Sequence, residues 1–426
     1  MDTLNYMLLN DTISSNEEME SPPQAYKRFS NHAYLKWQRK MLKERIWANI
    51  PIPTKILNFS QGKKQSSKVN LKSQIWSVYA RSKPLLGSPS IVLDMPLMEG
   101  NIYNNCTDWS NNGFLASVFS GEVFLWHPKK NTSKSITNTG GKVSKCVSWN
   151  KNSPLLAMAV NEKLISIFDC LQNKLKIVCG CNYVCTVNSI TWTMGNGLIS
   201  GCSSGHLTVF NRHLSIVNNL HKAHDGIIIK MALSCNESYL ATSGEDKNVR
   251  VWLWPNLKEH FQVSYVSPVK GLAWHPWQDS YLAIGGGYGN GSLSIWNATN
   301  YTELGYKSGA ENDAISVDNL TWSPLTGELV VSYWLKRNND EKNSIVILSN
   351  LTSVVDAIEW HTGRVLYLLW GNNGSTLATA GADENLCMWE FLGNSSNAKK
   401  YISLRREKKI AKDIFETAKI FKQCIR

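Results

Sequence analysis

Apolar positions along this chain recur on two scales. Locally they form short runs rich in Val, Ile, Leu and aromatic residues, bounded by Asn, Gly, Ser and Asp, which is the pattern of β-strands joined by turns. Over a longer distance the whole pattern repeats. A strand ending in tryptophan returns as TDWS at Trp109, VSWN at Trp149, ITWT at Trp192, LAWHP at Trp274, LTWSP at Trp322 and LLWGN at Trp370, with MALSC at Leu233 filling the fourth place. Successive spacings are 40, 43, 41, 41, 48 and 48 residues. A second series, Trp126, Phe168, Phe210, Trp252, Trp296, Leu348 and Trp389, closes each unit. Between the two series runs a small-residue strand such as LLAMAV, YLATSG, YLAIGG or TLATAG.

This strand–turn–strand–turn–strand rhythm, at a period of about 40–45 residues, is that of WD-repeat blades. Seven units predict an all-β fold over residues 86–394, a seven-bladed WD-repeat β-propeller whose ring closure protects the sheet edges. Two units carry a finer signature. His224, Thr242, Asp246 and Trp252 lie at offsets 0, 18, 22 and 28, and His361, Thr379, Asp383 and Trp389 repeat those offsets. A His–Asp–Thr set could suggest a catalytic triad. Its repetition at equivalent blade positions instead assigns it to a structural tetrad, a buried hydrogen-bond chain between strands.

Charge divides the chain differently. Residues 1–20 hold five acids and no Lys or Arg, whereas residues 21–85 hold fourteen Lys and Arg against Glu44 alone. Residues 86–394 are nearly balanced, with 21 bases and 24 acids, and residues 395–426 hold ten bases and three acids. The +12 of the chain therefore sits in its two ends. Residues 1–85 lack the repeat and form a basic N-terminal arm expected to be mostly disordered when free, apart from a candidate basic helix from Ala33 to Trp47. The C-terminal tail 395–426 is basic and helix-compatible after Tyr401. Basic ends suit nucleic acid, a membrane surface or an acidic protein.

Other chemistry is sparse. The longest apolar stretches, such as Leu366–Leu369, fall far short of the roughly 20 residues a membrane helix needs. The N-terminus has no basic residue before its apolar ones, so no secretory signal is expected, and the sequons at Asn105, Asn236, Asn319 and Asn373 read as accidental. Ten cysteines show no disulfide framework. Cys179, Cys181 and Cys185 cluster, but their spacing fits no common zinc signature and no matching Cys or His pair is expected nearby; reduced intracellular thiols and no metal are expected. The run IGGGYGNGS, Ile284 to Ser292, sits between two strands and lacks Gly-Lys-Ser/Thr, so it is read as a loop of the fifth blade rather than a phosphate cradle. No nucleophile, phosphate loop or cofactor motif stands out, and no enzyme is expected.

Several segments together resemble the Fizzy/Fizzy-related family, the co-activators of the anaphase-promoting complex, a ubiquitin ligase. They are IVLDMP before the first blade, NIYNNCTDWS, KGLAWHPWQDSYLAIGGG, GRVLYLLW followed by GADENLCMW, and the terminal Ile-Arg. The resemblance implies ligase attachment through Ile425 and Arg426, captured by a TPR-repeat subunit, and through Lys55, Ile56 and Leu57 of a KILR-like motif at 55–58, where Asn58 replaces the arginine. A C-box survives only near 27–31, with Arg28 and Phe29 kept. On the substrate side it implies a groove between the first and last blades for destruction boxes of the form Arg-x-x-Leu. Asp108 and Glu384 are the acids expected to receive the arginine. A second, KEN-type site is expected to be degenerate, with Glu245 and Lys247 where the family has asparagines, while its arginine is matched by Arg364.

These departures resemble a divergent insect germline member of the family that acts in female meiosis. The resemblance thus implies a substrate-recognition co-activator working in cytoplasm and nucleus, whose partners are ligase subunits and degron-bearing substrates such as mitotic cyclins and securin, with no membrane or nucleic-acid partner. The rival reading is an RNA-binding or general scaffolding propeller; the RNA-binding form, with basic ends gripping phosphates, would give steep salt dependence and little response to degron peptides.

Overall fold

The computed structural model describes residues 74–404, except 97, 99, 129, 137–138, 140, 182–184, 310–313, 338–339, 372–373, 394–396 and 398. Its strands form seven four-stranded antiparallel sheets, one for each predicted unit. In each of the first six, strands follow one another in sequence order from the innermost outward, as in the third blade: Val187–Trp192, Leu198–Cys202, Leu207–Phe210 and Ile216–Leu220. First strands touch their counterparts in neighbouring sheets around a closed circuit, so that Thr107–Trp109 meets both Val143–Trp149 and Val365–Trp370. The seven-bladed propeller expected from the repeat is therefore the fold.

The two repeating residue types have distinct jobs. Small residues of the second strands, such as Ala157, Ala241, Ala283 and Ala378, are fully buried, because neighbouring blades approach closely there. Large residues fill the wedge between blades: Trp149, Leu156 and Met158 pack with Leu115 and Leu125 of the preceding blade. Each such side chain, once buried, contributes about 1.5–3 kcal/mol. The two non-tryptophan positions obey the same logic, since Leu348 is buried against Trp322 and Leu329, and Leu233 packs on its blade's core.

The last sheet is completed by the chain's beginning. Val365–Trp370, Thr376–Gly381 and Asn385–Glu390 are joined by Ile91–Asp94 as the outer strand, which locks the ring with residues almost 300 positions apart.

The ordered propeller starts earlier than residue 86. Residues 74–85, assigned above to the arm, lie on its surface. Trp76 is 1% exposed, stacks edge-on against Trp322 at 5.1 Å and donates its indole N–H to Gly327 O at 3.0 Å. His275 Nε2 meets Ser77 O at 3.0 Å, and Gln278 accepts the Ser77 N–H at 2.7 Å, so the HPWQ segment serves as a clasp for this strap. Further on, the buried Arg81 lies 3.0 Å from Glu328 and 3.5 Å from Asp356, donates to Phe391 O at 3.0 Å and sits 4.0 Å over the Phe391 ring. Beyond the last strand, residues 399–404 are helical, and Tyr401 and Ile402 pack onto the cluster containing Leu86 and Phe391.

Candidate functional site

Closure of the ring creates a seam between the last blade and the start of the first. Ile91–Asp94 pairs with Asn385–Glu390 so that Ile91 faces Met388 and Asp94 faces Asn385. The ladder continues at both ends, with Ser90 N–H donating to Met388 O and Met95 N–H to Glu384 O, each at 2.7 Å. Residues opposite one another on such a ladder are about 5 Å apart, so Asp94 stands beside the turn that carries Glu384. Ile91, Val92, Asp94 and Glu384 are all exposed. Glu384 holds φ at +59°, a left-handed position that disfavours most side chains. The seam thus presents two carboxylates next to an exposed apolar strand.

Asp108 is not part of it. In the last blade Val365, at the start of the innermost strand, pairs with Gly381, whereas Trp370, at its end, pairs with Leu377. The Glu384 turn therefore sits at the starting end. Asp108 lies at the finishing end of the first blade's innermost strand, where it shares a cavity of about 430 Å³ with Trp109, Lys151, Lys230 and Trp370. Five strand steps at about 3.3 Å each separate the two ends by roughly 16 Å. The Asp108 carboxylate is also engaged, accepting the Trp149 N–H at 2.7 Å and its own neighbour's N–H at 2.8 Å, with Lys151 Nζ at 3.4 Å. The structure therefore does not bring the expected Asp108 and Glu384 together; the acid that stands beside the Glu384 turn is Asp94. Asp94 belongs to the LDMP segment, noted in the sequence only as a landmark; its proximity to Glu384 arises from a pairing that no local signal reveals.

Both tetrads form. His224 Nε2 lies 2.7 Å from Thr242 Oγ1, its Nδ1 2.9 Å from Asp246, and Trp252 Nε1 donates to the same hydroxyl at 2.9 Å. In the last blade the corresponding distances are 2.8 Å from His361 to Thr379, 3.0 Å from His361 to Asp383, and 3.0 Å from Trp389 to Thr379. Burial lowers the His224 pKa despite the neighbouring Asp246. Burial also works to raise Asp246 and Asp383, but the hydrogen bonds they accept, from the histidines first, outweigh it and hold both below the usual carboxylate range. Both hydroxyls are consumed within the network, as a structural role requires.

Of the predicted KEN-type residues, Arg364 and Glu245 both act on Tyr103. Arg364 is bound to buried Asp318 through Nε at 2.8 Å and through Nη2, which also reaches Ser316, and its guanidinium lies 4.5 Å from the Trp334 ring centre. Tyr103 feels Arg364, Glu245 and Asp318 together, although burial is the main reason its pKa is raised. Lys247 is exposed, in a left-handed turn position equivalent to that of Glu384. Arg364, matched by motif alone, is thus already paired with an acid the sequence reading had not singled out. Nearby, Lys270 is 1% exposed, donates to Asn104 O at 3.0 Å and faces the Tyr367 ring; burial first, then Lys230, lowers its pKa to about 7.

Sequence reasoning also missed a group of side chains whose atoms are placed so that they could ligate a metal ion. Cys181, Cys185, Cys202 and His206 place their sulfur and imidazole nitrogen atoms within 4.8 Å of one another. The signal was available as two pairs at equal spacing, Cys-x-x-x-Cys and Cys-x-x-x-His. Arg28, Phe29, Lys55, Ile56, Leu57, Ile425 and Arg426 lie outside the described residues.

Comparison with known proteins places this geometry in context. The WD domain, G-beta repeat, matches residues 215–252 and 352–390, the two units that carry the tetrads. Protein cortex of Heliconius melpomene is 26% identical over 364 residues, covering 79% of this chain and 78% of that protein. Cell division cycle 20.5, cofactor of APC complex, of Arabidopsis thaliana is 27% identical, covering 71% and 68%. Among solved structures, one described as the crystal structure of the mitotic checkpoint complex superposes with a TM-score of 0.63 at 25% identity, covering 71% of this chain and 94% of the matched one. The resemblance to anaphase-promoting-complex activators is thus borne out, and cortex is the divergent member to which the sequence departures pointed.

Proposed function

We propose that this chain, similar to the co-activators of the anaphase-promoting complex, is itself a substrate-recognition co-activator that holds destruction-box degrons at the seam. The observation that carries this reading is the exposed Asp94–Glu384 pair beside the exposed strand Ile91–Asp94. An arginine entering between two carboxylates gains charge-assisted hydrogen bonds worth about 1.5–3 kcal/mol, while Ile91 and Val92 offer an apolar neighbour for the leucine three residues on. The basic ends, with Arg28, Phe29, Lys55, Ile56, Leu57, Ile425 and Arg426, hold the ligase. Joining two modest contacts raises the local concentration of substrate at the ligase without any chemistry by the propeller. We further propose action in cytoplasm and nucleus, on substrates such as mitotic cyclins and securin, in female meiosis. KEN-type degrons bind weakly in this reading, because Arg364 is engaged by Asp318 and Glu245 repels acids.

The test is binding of an Arg-x-x-Leu peptide to the full chain. Asp94→Ala and Glu384→Ala each weaken it about tenfold or more, which corresponds to about 1.4 kcal/mol, while Asp108→Ala leaves it within twofold. Equal binding by all three variants removes the degron seam. Capture of the ligase from oocyte extract tests the other half: loss of Ile425 and Arg426 sharply reduces capture, and capture of no ligase by the intact chain overturns the co-activator reading.

A further inference from the structure

We infer that Cys181, Cys185, Cys202 and His206 form a structural zinc site that ties the entry of the third blade to the hairpin between its second and third strands. Two chain segments supply two ligands each. Cys181 and Cys185 come from the connection between Lys174–Cys179 and Val187–Trp192. Cys202 ends the strand Leu198–Cys202, and His206 follows the turn that leads to Leu207–Phe210. The segments are brought together by the ladder itself, since Val187 pairs with Cys202, Ser203 N–H donates to Thr186 O, and Cys202 N–H donates to His206 O.

The distances suit this metal. Zinc takes four ligands tetrahedrally, at about 2.3 Å to sulfur and about 2.0–2.1 Å to imidazole nitrogen, which places tetrahedral S–S edges near ~3.8 Å and S–N edges near ~3.6 Å. Cys181 Sγ lies 3.9 Å from Cys202 Sγ and 3.6 Å from His206 Nδ1. Cys185 lies within hydrogen-bonding reach of both Cys181 and Cys202. The four ligand atoms span no more than 4.8 Å, so a small inward adjustment completes the sphere.

Burial points the same way. Cys181, Cys185 and Cys202 are 1%, 5% and 2% exposed and pack as a cluster of their own, separate from the aliphatic core. A divalent cation would bind these three sulfurs as thiolates. Cys202 Sγ already accepts the His206 backbone N–H at 3.4 Å, an outer contact that fixes the position of the sulfur. Cys179 is excluded, because its thiol is turned onto Cys181 O at 2.8 Å. With four protein ligands no position remains for water, so the site is structural rather than catalytic.

The test is the metal content of the full chain, purified without chelator, by mass spectrometry. About one zinc per chain is expected, falling to almost none in Cys202→Ser and remaining in Cys170→Ser, whose thiol lies outside the cluster. A second measurement needs no variant: cobalt(II) loaded in place of zinc gives thiolate-to-metal charge-transfer absorption and the strong visible bands of tetrahedral coordination. A chain that carries no zinc and takes up neither metal, or one in which Cys181 and Cys202 are recovered as a disulfide, overturns the inference.

Discussion

Replacing Arg81 by alanine tests how the strap is fastened. The guanidinium is enclosed with Glu328 and Asp356, whose side chains are 0% and 4% exposed, and Phe391 supplies both a carbonyl and a ring face. The carboxylates are not spent on the Arg81 guanidinium alone, since Glu328 also accepts the Arg81 backbone N–H and the Thr326 hydroxyl, and Asp356 accepts the N–H groups of Leu85 and Leu86. Removing the arginine leaves two buried acids without their cation, a loss of about 3–5 kcal/mol when one partner of a buried pair is deleted. Urea denaturation of the full chain reads the global part. Chymotrypsin cleavage between Trp76 and Tyr79 reads strap release, and about 3 kcal/mol raises the open population by roughly 150-fold where cleavage follows opening. Arg81→Lys retains charge but loses the planar fork and gives an intermediate loss. Arg81→Met combined with Glu328→Gln and Asp356→Asn recovers much of the deficit, because no buried charge then stands alone. An Arg81→Ala chain within about 0.5 kcal/mol of the parent, with unchanged cleavage, refutes the anchoring role.

Thr242→Val leaves the Trp252 indole N–H without its acceptor and His224 Nε2 without the hydroxyl that donates to it, and costs about 1–3 kcal/mol, read as a lower urea midpoint. Lys270 has a folded pKa of about 7 against about 10.4 unfolded. Between those values the unfolded chain binds more protons, so stability rises with pH; Lys270→Met flattens that slope, by up to about 4 kcal/mol across the window, in unfolding free energies measured from pH 7 to 10. Parallel slopes for parent and variant refute the depressed pKa. Arg364→Ala, which strands buried Asp318, destabilises the sixth and seventh blades by about 3 kcal/mol while leaving Arg-x-x-Leu peptide affinity at the seam within twofold.

What repeated along the chain was legible. Seven returns of one strand pattern specified seven blades, and the offsets 18, 22 and 28 specified the tetrads, because a strand ladder converts fixed spacing into fixed distance. What occurs once was harder to read. Trp76 and Arg81 carry no periodicity, so the strap looked like part of a disordered arm, although HPWQ, its clasp, was plainly visible. Cys202 and His206 lie apart in sequence from Cys181 and Cys185, and only the hairpin pairing brings the two couples together.

Glu384 shows why the site proposed here falls in this second class. It occupies the same left-handed turn position as Lys247, one residue after the tetrad aspartate in each blade. Periodicity therefore treats the two alike, and the local backbone gives no reason for one to matter more. The difference comes from the neighbour. In the fourth blade the outermost strand is the next in sequence, Lys258–Ser264, whereas in the last blade it is Ile91–Asp94, brought from the other end of the propeller. Ring closure alone gives Glu384 an acidic companion at Asp94. A seven-fold pattern thus acquires a distinct site where its symmetry must break, and the residues of that site are visible only once the closing strand has been placed.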